Sequence, residues 1–161
     1  MPINEQWLEK VIEDPIDPEM PIIDPHHHLW DTANTHVDNP YMQEDLISDL
    51  DSGHNVVSTV FVECSAFYRE SGPEHLRPVG ETEFVNRVAE DSAVKSKDGR
   101  KLCAAIVDHA DLTLGKNVDE VLEAHLEVAP ERMRGIRHSV PWDPNEEIRG
   151  IRAEGLLSNS K

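Results

Sequence analysis

Two histidines one residue apart give this sequence its strongest chemical signal. They are His26 and His28 in "DPHHHLWD", residues 24–31. Side chains alternate faces along an extended chain, so these two rings lie on one side and His27 lies on the other. Two neutral imidazoles from one segment can hold a divalent cation at Zn–N distances of about 2.0–2.1 Å. We predict His26 and His28 as metal ligands, with zinc as the favoured ion. The plainer alternative is a polar loop whose rings bond to backbone carbonyls.

Two acids are candidates for a supporting role behind these ligands. Asp24 is two residues before His26 and therefore lies on the same face of the extended chain as the two histidines. Its carboxylate could accept a hydrogen bond from a ring N–H of one of them and so fix its tautomer. Glu63 lies at the end of the second apolar run and is the other candidate, although an acid at a strand end often only meets water. No residue is assigned as the general base.

Five more polar side chains lie at or just after the ends of predicted strands and are candidates for binding a substrate. They are Tyr68, Arg69, His109, Arg137 and His138. Arginine offers a planar, bidentate fork for a carboxylate, and a tyrosine hydroxyl can donate to a developing oxyanion. Each has a plainer role: ion pairing with the abundant acids for the arginines, packing for the tyrosine, and rim hydrogen bonding for the histidines.

The elements that position these residues alternate between strand and helix. Apolar runs predict strands at 20–24, 56–64, 102–110 and 133–139, and helical periodicity predicts helices at 40–53, 81–94 and 117–129. An N-terminal helix is predicted with a stripe of Trp7, Leu8, Val11 and Ile12. The helix at 117–129 is predicted to bury Val118, Val121, Leu122 and Leu126, with His125 at the edge of that stripe and away from the rim.

This order predicts an α/β fold with parallel strands, because such strands need long crossovers. A doubly wound sheet and part of a (β/α)8 barrel both fit. The clustering of polar residues just after the strands favours the barrel, whose chemistry lies at that rim. We expect an N-terminal helix and Pro-rich lead-in at 1–19, followed by a barrel-like unit at 20–161.

Composition limits the partners. The formal net charge of -17 over 161 residues disfavours nucleic acid and anionic membranes, which both need clustered Lys and Arg. The two cysteines form no metal or disulfide motif, and the N-terminus lacks the apolar core of an export signal. We therefore expect a cytoplasmic protein with a small-molecule substrate.

Three segments carry a family resemblance. They are "IIDPHHHLWD", "VECSAFYRESGPEHLRPVGETEFVNRVA" and "RGIRHSVPWDP", which together span roughly residues 20–145. They resemble the amidohydrolase superfamily, in its amidohydrolase-related (family 2) branch. The resemblance implies a (β/α)8 barrel that hydrolyses esters, lactones or amides with metal-activated water, and some members are decarboxylases. His26 and His28 match the first-strand metal ligands.

The resemblance covers the N-terminal half of such a barrel. The family's further histidines on strands five and six, and its aspartate after strand eight, have no counterpart after "RGIRH". A full barrel takes about 250 residues, so four βα units suggest an incomplete barrel, completed by a missing C-terminal half or by a second copy. We predict a metal-dependent hydrolase that could be inactive as this chain. The alternatives are a metal-dependent decarboxylase and a non-catalytic barrel fragment that binds a partner.

Overall fold

Strands and helices alternate through the computed structural model, which describes residues 5–8, 10–11, 13–32, 39–95, 99–145, 147–148 and 154–158. The strands are β1 (Ile22–His27), β2 (Val56–Val62), β3 (Lys101–Asp108) and β4 (Met133–Ile136). The helices are α1 (Glu5–Leu8), α2 (Gln43–Leu50), α3 (Val79–Lys95) and α4 (Val118–Val128). Short 3-10 helices span Glu74–Leu76, Leu112–Asn117 and Leu156–Ser158.

The four strands form one parallel sheet in the order β1-β2-β3-β4. The predicted α/β fold with parallel strands is therefore confirmed. A doubly wound sheet reverses its strand order at a switch point, whereas these strands follow the order of the chain. The pairs Val62↔Val107 and Asp108↔Ile136 align the carboxyl ends of β2, β3 and β4. Residues that follow these strands consequently meet at one edge of the sheet.

One apolar core joins the sheet to its helices. Phe61 of β2 and Ile106 of β3 are fully buried in it, together with Leu46 of α2 and Val85 of α3. Burying such large side chains is the main favourable term in folding. The core fixes α3 against β3, and thereby fixes the loop that leads into α3.

The N-terminal prediction is wrong in part. Helix α1 makes a single turn, and Trp7 and Val11 are 64% and 70% exposed, so they form no buried stripe. The side chain of Leu8 and the whole of Ile12 lie outside the described residues. A helix this short is marginal without packing to support it.

The end of β1 and the buried face of α4 also differ from the predictions. Strand β1 continues to His27 instead of ending at Asp24, because a bulge between those two residues accommodates Pro25, which has no N–H for the ladder. In α4, Leu126 is 50% exposed while His125 is fully buried, so the predicted stripe is wrong at both positions. His125 is buried because its ring nitrogens have polar partners on the side of the helix that meets α3.

Candidate functional site

His26 and His28 bring their rings together at the end of β1. Their Nε2 atoms are 3.2 Å apart and the ring planes meet at 85°. His27 faces the other side, is buried, and contacts the hydroxyl of Thr59 at 2.9 Å. The alternation expected from the sequence thus holds for all three rings. Their roles as ligands or bystander stay predictions.

The main chain fixes the tautomer of His28. Its Nδ1 lies 2.7 Å from the carbonyl oxygen of Val62. A carbonyl only accepts, so Nδ1 carries the proton and Nε2 presents a lone pair. Burial lowers the pKa of His28, which favours the neutral ring that a metal ion needs.

The pair fits part of a metal site. Two nitrogens at about 2.0–2.1 Å from one tetrahedral ion lie about 3.3–3.4 Å apart, close to the 3.2 Å between these Nε2 atoms. Within the described residues, no third His, Cys, Asp or Glu joins them to form a group of three. The geometry is therefore compatible with at most two ligands from this pair, and the metal-binding role of His26 and His28 stays a prediction.

Asp24 contacts the main chain near these rings. Its carboxylate accepts a hydrogen bond from the backbone N–H of His26 at 3.1 Å, across the bulge in β1. The carbonyl of Val62, and not Asp24, fixes the tautomer of His28. Asp24 thus supports the backbone that carries the histidine pair.

Glu63 and Arg137 form an ion pair between the ends of β2 and β4. The Nε of Arg137 donates to Oε1 of Glu63 at 2.7 Å, and its Nη2 donates to the carbonyl of the same residue. Glu63 is 6% exposed, so this is a largely desolvated carboxylate. Most of the Arg137 fork is therefore engaged by the protein, as the ion-pair alternative expected, and only Nη1 lies outside these two bonds.

A cavity of about 880 Å³ opens beside this ion pair. Four of the five candidates for substrate binding line it, together with Glu63: Tyr68, His109, Arg137 and His138. Burial raises the pKa of Tyr68, so its hydroxyl keeps its proton as a donor. Arg69 is not among the lining residues, because its guanidinium pairs with Glu83 instead. His26 and His28 lie outside the lining as well.

The loop from β2 to α3 carries Tyr68 into this cavity and is held by a buried acid. The Oε1 atom of Glu81 accepts from the backbone N–H groups of Cys64 and Ala66 at 3.1 and 3.0 Å. Ser65 lies between these two residues and Phe67 follows them. Their φ values are 65° and 54°, which residues other than glycine rarely adopt. A fixed acceptor in α3 therefore holds a loop that is otherwise strained.

Cys64 is a half-buried thiol in the cavity wall. Its Sγ donates toward the carbonyl of Leu29 at 3.2 Å and lies 3.4 Å from Oε1 of Glu81. Burial raises the pKa of this thiol, which disfavours the thiolate that nucleophilic chemistry needs.

A second buried polar group lies behind His109, and the sequence prediction missed it. Asp108, Thr82 and His125 are all fully buried. The hydroxyl of Thr82 contacts Oδ2 of Asp108 and lies 2.7 Å from Nδ1 of His125. Burial raises the pKa of Asp108 and lowers that of His125, so both shifts favour the neutral forms. The one sequence signal was His125 beside an apolar helical stripe.

Comparisons with known proteins do not identify the chain. No protein-family model matches it, and neither a curated protein nor a solved structure does so. Within the described residues, no helix combines the length and the apolar character needed to cross a membrane.

Proposed function

We propose that this chain is a metal-dependent hydrolase of the amidohydrolase type, acting on the ester, lactone or amide carbonyl of a small molecule. One observation carries the proposal: the Nε2 atoms of His26 and His28 lie 3.2 Å apart, and the Nδ1 of His28 is bound to a carbonyl. Because Nδ1 of His28 is protonated, its Nε2 has a free lone pair, and this lone pair lies beside Nε2 of His26.

The divalent ion, with zinc favoured, would bind at these two nitrogens. When bound, it supplies Lewis acidity toward a carbonyl oxygen. The chain's own residues do the remaining work. Because His26 and His28 lie outside the lining of the cavity, the cavity holds the part of the substrate beyond the reacting carbonyl, where Tyr68 and His138 offer hydrogen-bond donors to its oxygens. Glu63 keeps Arg137 at the cavity wall. No nucleic acid or membrane partner is proposed, given the net charge of -17.

The fold proposed for the active protein is a (β/α)8 barrel of which this chain supplies four βα units. Strand order supports it, since β1 to β4 run in chain order. In the described sheet β1 and β4 each pair with one neighbour, which leaves an edge on each that further strands would cover. A second copy of the chain is one source of such strands, and light scattering of the purified chain tests it. A dimer supports self-assembly, whereas a monomer points to a different partner.

A reducing, cytoplasmic compartment is also part of the proposal. Cys64 and Cys103 are both free thiols, and Cys103 is fully buried. Free, buried thiols are typical of proteins that stay in a reducing environment.

Zinc binding tests the proposal directly. Calorimetric titration of the purified chain with zinc is expected to show one site per chain, and the double variant His26→Ala plus His28→Ala is expected to lose it. His54→Ala is the matched control, because His54 is exposed and lies elsewhere. If all three proteins bind zinc alike, or none binds it, the 3.2 Å contact is an ordinary hydrogen bond from His26 to His28.

Turnover of ester and lactone substrates, with carbon dioxide release measured in parallel, then separates hydrolysis from decarboxylation.

A further inference from the structure

The main chain assigns opposite tautomers to two imidazoles in the cavity wall. The Nδ1 of His109 lies 3.0 Å from the carbonyl oxygen of Arg137, so Nδ1 is protonated and Nε2 has a lone pair. The Nδ1 of His138 accepts from the backbone N–H of Leu112 at 2.9 Å, so its neutral ring carries the proton on Nε2. The ring centroids are 5.4 Å apart. The wall therefore offers one acceptor next to one donor.

The peptide groups on both sides of His109 are also held, by buried side chains. Its backbone N–H donates to Oδ1 of Asp108 at 2.7 Å. Its carbonyl accepts from Nε2 of His125 at 3.0 Å. Thr82 joins these two buried residues through its hydroxyl. His109 is thus fixed at its N–H, its carbonyl and its ring.

Only two proton arrangements satisfy this group. If Asp108 is ionised, the Thr82 hydroxyl donates to it and accepts from Nδ1 of His125, which is then a cation. If Asp108 carries the proton, it donates to Thr82, whose hydroxyl donates to a neutral His125. In both arrangements Nε2 of His125 donates to the carbonyl of His109. Asp108 also interacts with Glu81, whereas the bonds from Asp108 and His125 toward the cavity end on the two peptide groups of His109, so the group serves to hold His109.

We propose that His109 is a hydrogen-bond acceptor for a ligand in the cavity, with His138 as the donor beside it, and that Asp108 and His125 are the positioning residues of His109. The matching ligand brings a hydroxyl or amide proton to Nε2 of His109 and an oxygen to Nε2 of His138. Positioning of His109 is independent of any metal ion at His26 and His28, since none of the bonds involved includes those residues.

Long-range proton–nitrogen correlation spectra of the ¹⁵N-labelled, metal-free chain report the tautomers directly. His109 is expected to be protonated at Nδ1 and His138 at Nε2, with His109→Gln and His138→Gln assigning the signals. A His109 ring protonated at Nε2 in the unmodified chain overturns the assignment. Loss of zinc binding at His26 leaves this result untouched, so the two proposals fail separately.

Paired variants of His125 test the positioning role. The amide of His125→Gln can still donate to the carbonyl of His109, whereas His125→Leu has similar bulk and no donor. The Leu variant loses the hydrogen bond to the His109 carbonyl, so the backbone no longer holds the His109 ring against the carbonyl of Arg137. We therefore expect the Leu variant to reduce the tautomer preference of His109 about five- to tenfold, the effect of one hydrogen bond, and the Gln variant to keep it. A purely structural role for His125 predicts an unchanged His109 pattern in both variants.

A second variant covers the case in which His125→Leu does not fold. Thr82→Val conserves volume and removes the hydroxyl that joins Asp108 to His125. We expect it to weaken the His109 preference in the same direction, while circular dichroism confirms that the fold is kept. An unchanged His109 tautomer in folded Thr82→Val protein refutes the positioning role.

Discussion

Replacing Glu81 by glutamine is expected to abolish a pH-dependent loss of stability. Burial, followed by the proximity of the Asp108 carboxyl group, raises the pKa of Glu81 from 4.5 to about 8. The folded state therefore keeps a proton that the unfolded state releases above its own pKa. The unfolding free energy consequently falls as the pH rises from about 4.5 toward 8, because the folded state binds more protons in that window. The amide in Glu81→Gln resembles the protonated acid and does not titrate.

The magnitude follows from the width of that window. The slope approaches about 1.4 kcal/mol per pH unit, so the unmodified chain should lose roughly 2–3 kcal/mol more than Glu81→Gln between about pH 5.5 and 7.5. Such a loss is a large part of the ~5–15 kcal/mol that stabilises a typical domain. The amide oxygen still accepts from the N–H groups of Cys64 and Ala66, so the loop keeps its acceptor.

Urea unfolding at several pH values measures the difference. The control is Glu90→Gln on the same helix, where the side chain is exposed and bonds to Asn86. Its unfolding free energy should run parallel to that of the unmodified chain. If the gap between Glu81→Gln and the unmodified chain stays constant from pH 5.5 to about 7.5, Glu81 does not hold a proton in the folded state and the reasoning from its burial is wrong.

Three further substitutions have defined expectations. A Cβ on Gly80 would lie 2.6 Å from the carbonyl oxygen of Phe67, so Gly80→Ala should destabilise the chain by about 1–3 kcal/mol in urea unfolding, and an unchanged midpoint would contradict this close approach. Arg137→Ala leaves the buried carboxylate of Glu63 without its ion pair, and because Arg137 is partly exposed we expect a loss of about 1–3 kcal/mol, seen as a lower Tm. Leu46→Ala empties a fully packed position in the core and should cost about 2–5 kcal/mol, whereas a loss below 1 kcal/mol would mean that the site collapses around the gap.

Patterns that depend on neighbours along the chain were predictable from the sequence. The parallel sheet follows from alternating apolar runs and helical periods. The period of α3 predicts an inward face of Phe84, Val85, Val88 and Ala89, of which the last three are buried and Phe84 is partly buried. The shared face of His26 and His28 follows from the two-residue repeat of a strand.

Features that depend on distant partners were not predictable in the same way. Glu81 and Thr82 open α3, where polar residues ordinarily meet water, yet both are fully buried. Thr82 is buried because His125, 43 positions further along the chain, supplies its partner. The tautomer of His109 likewise depends on the carbonyl of Arg137, 28 positions away. No local period encodes such contacts, since they form only after the helices pack on the sheet.

The anchoring of three imidazoles by the main chain affects how strongly any ligand can bind. The rings of His28, His109 and His138 each have Nδ1 bound to a peptide group before a ligand arrives. A freely rotating side chain costs about 0.5–1.5 kcal/mol to immobilise on association. These rings have already lost that rotational entropy during folding, so a ligand that binds them does not incur this ordering cost again.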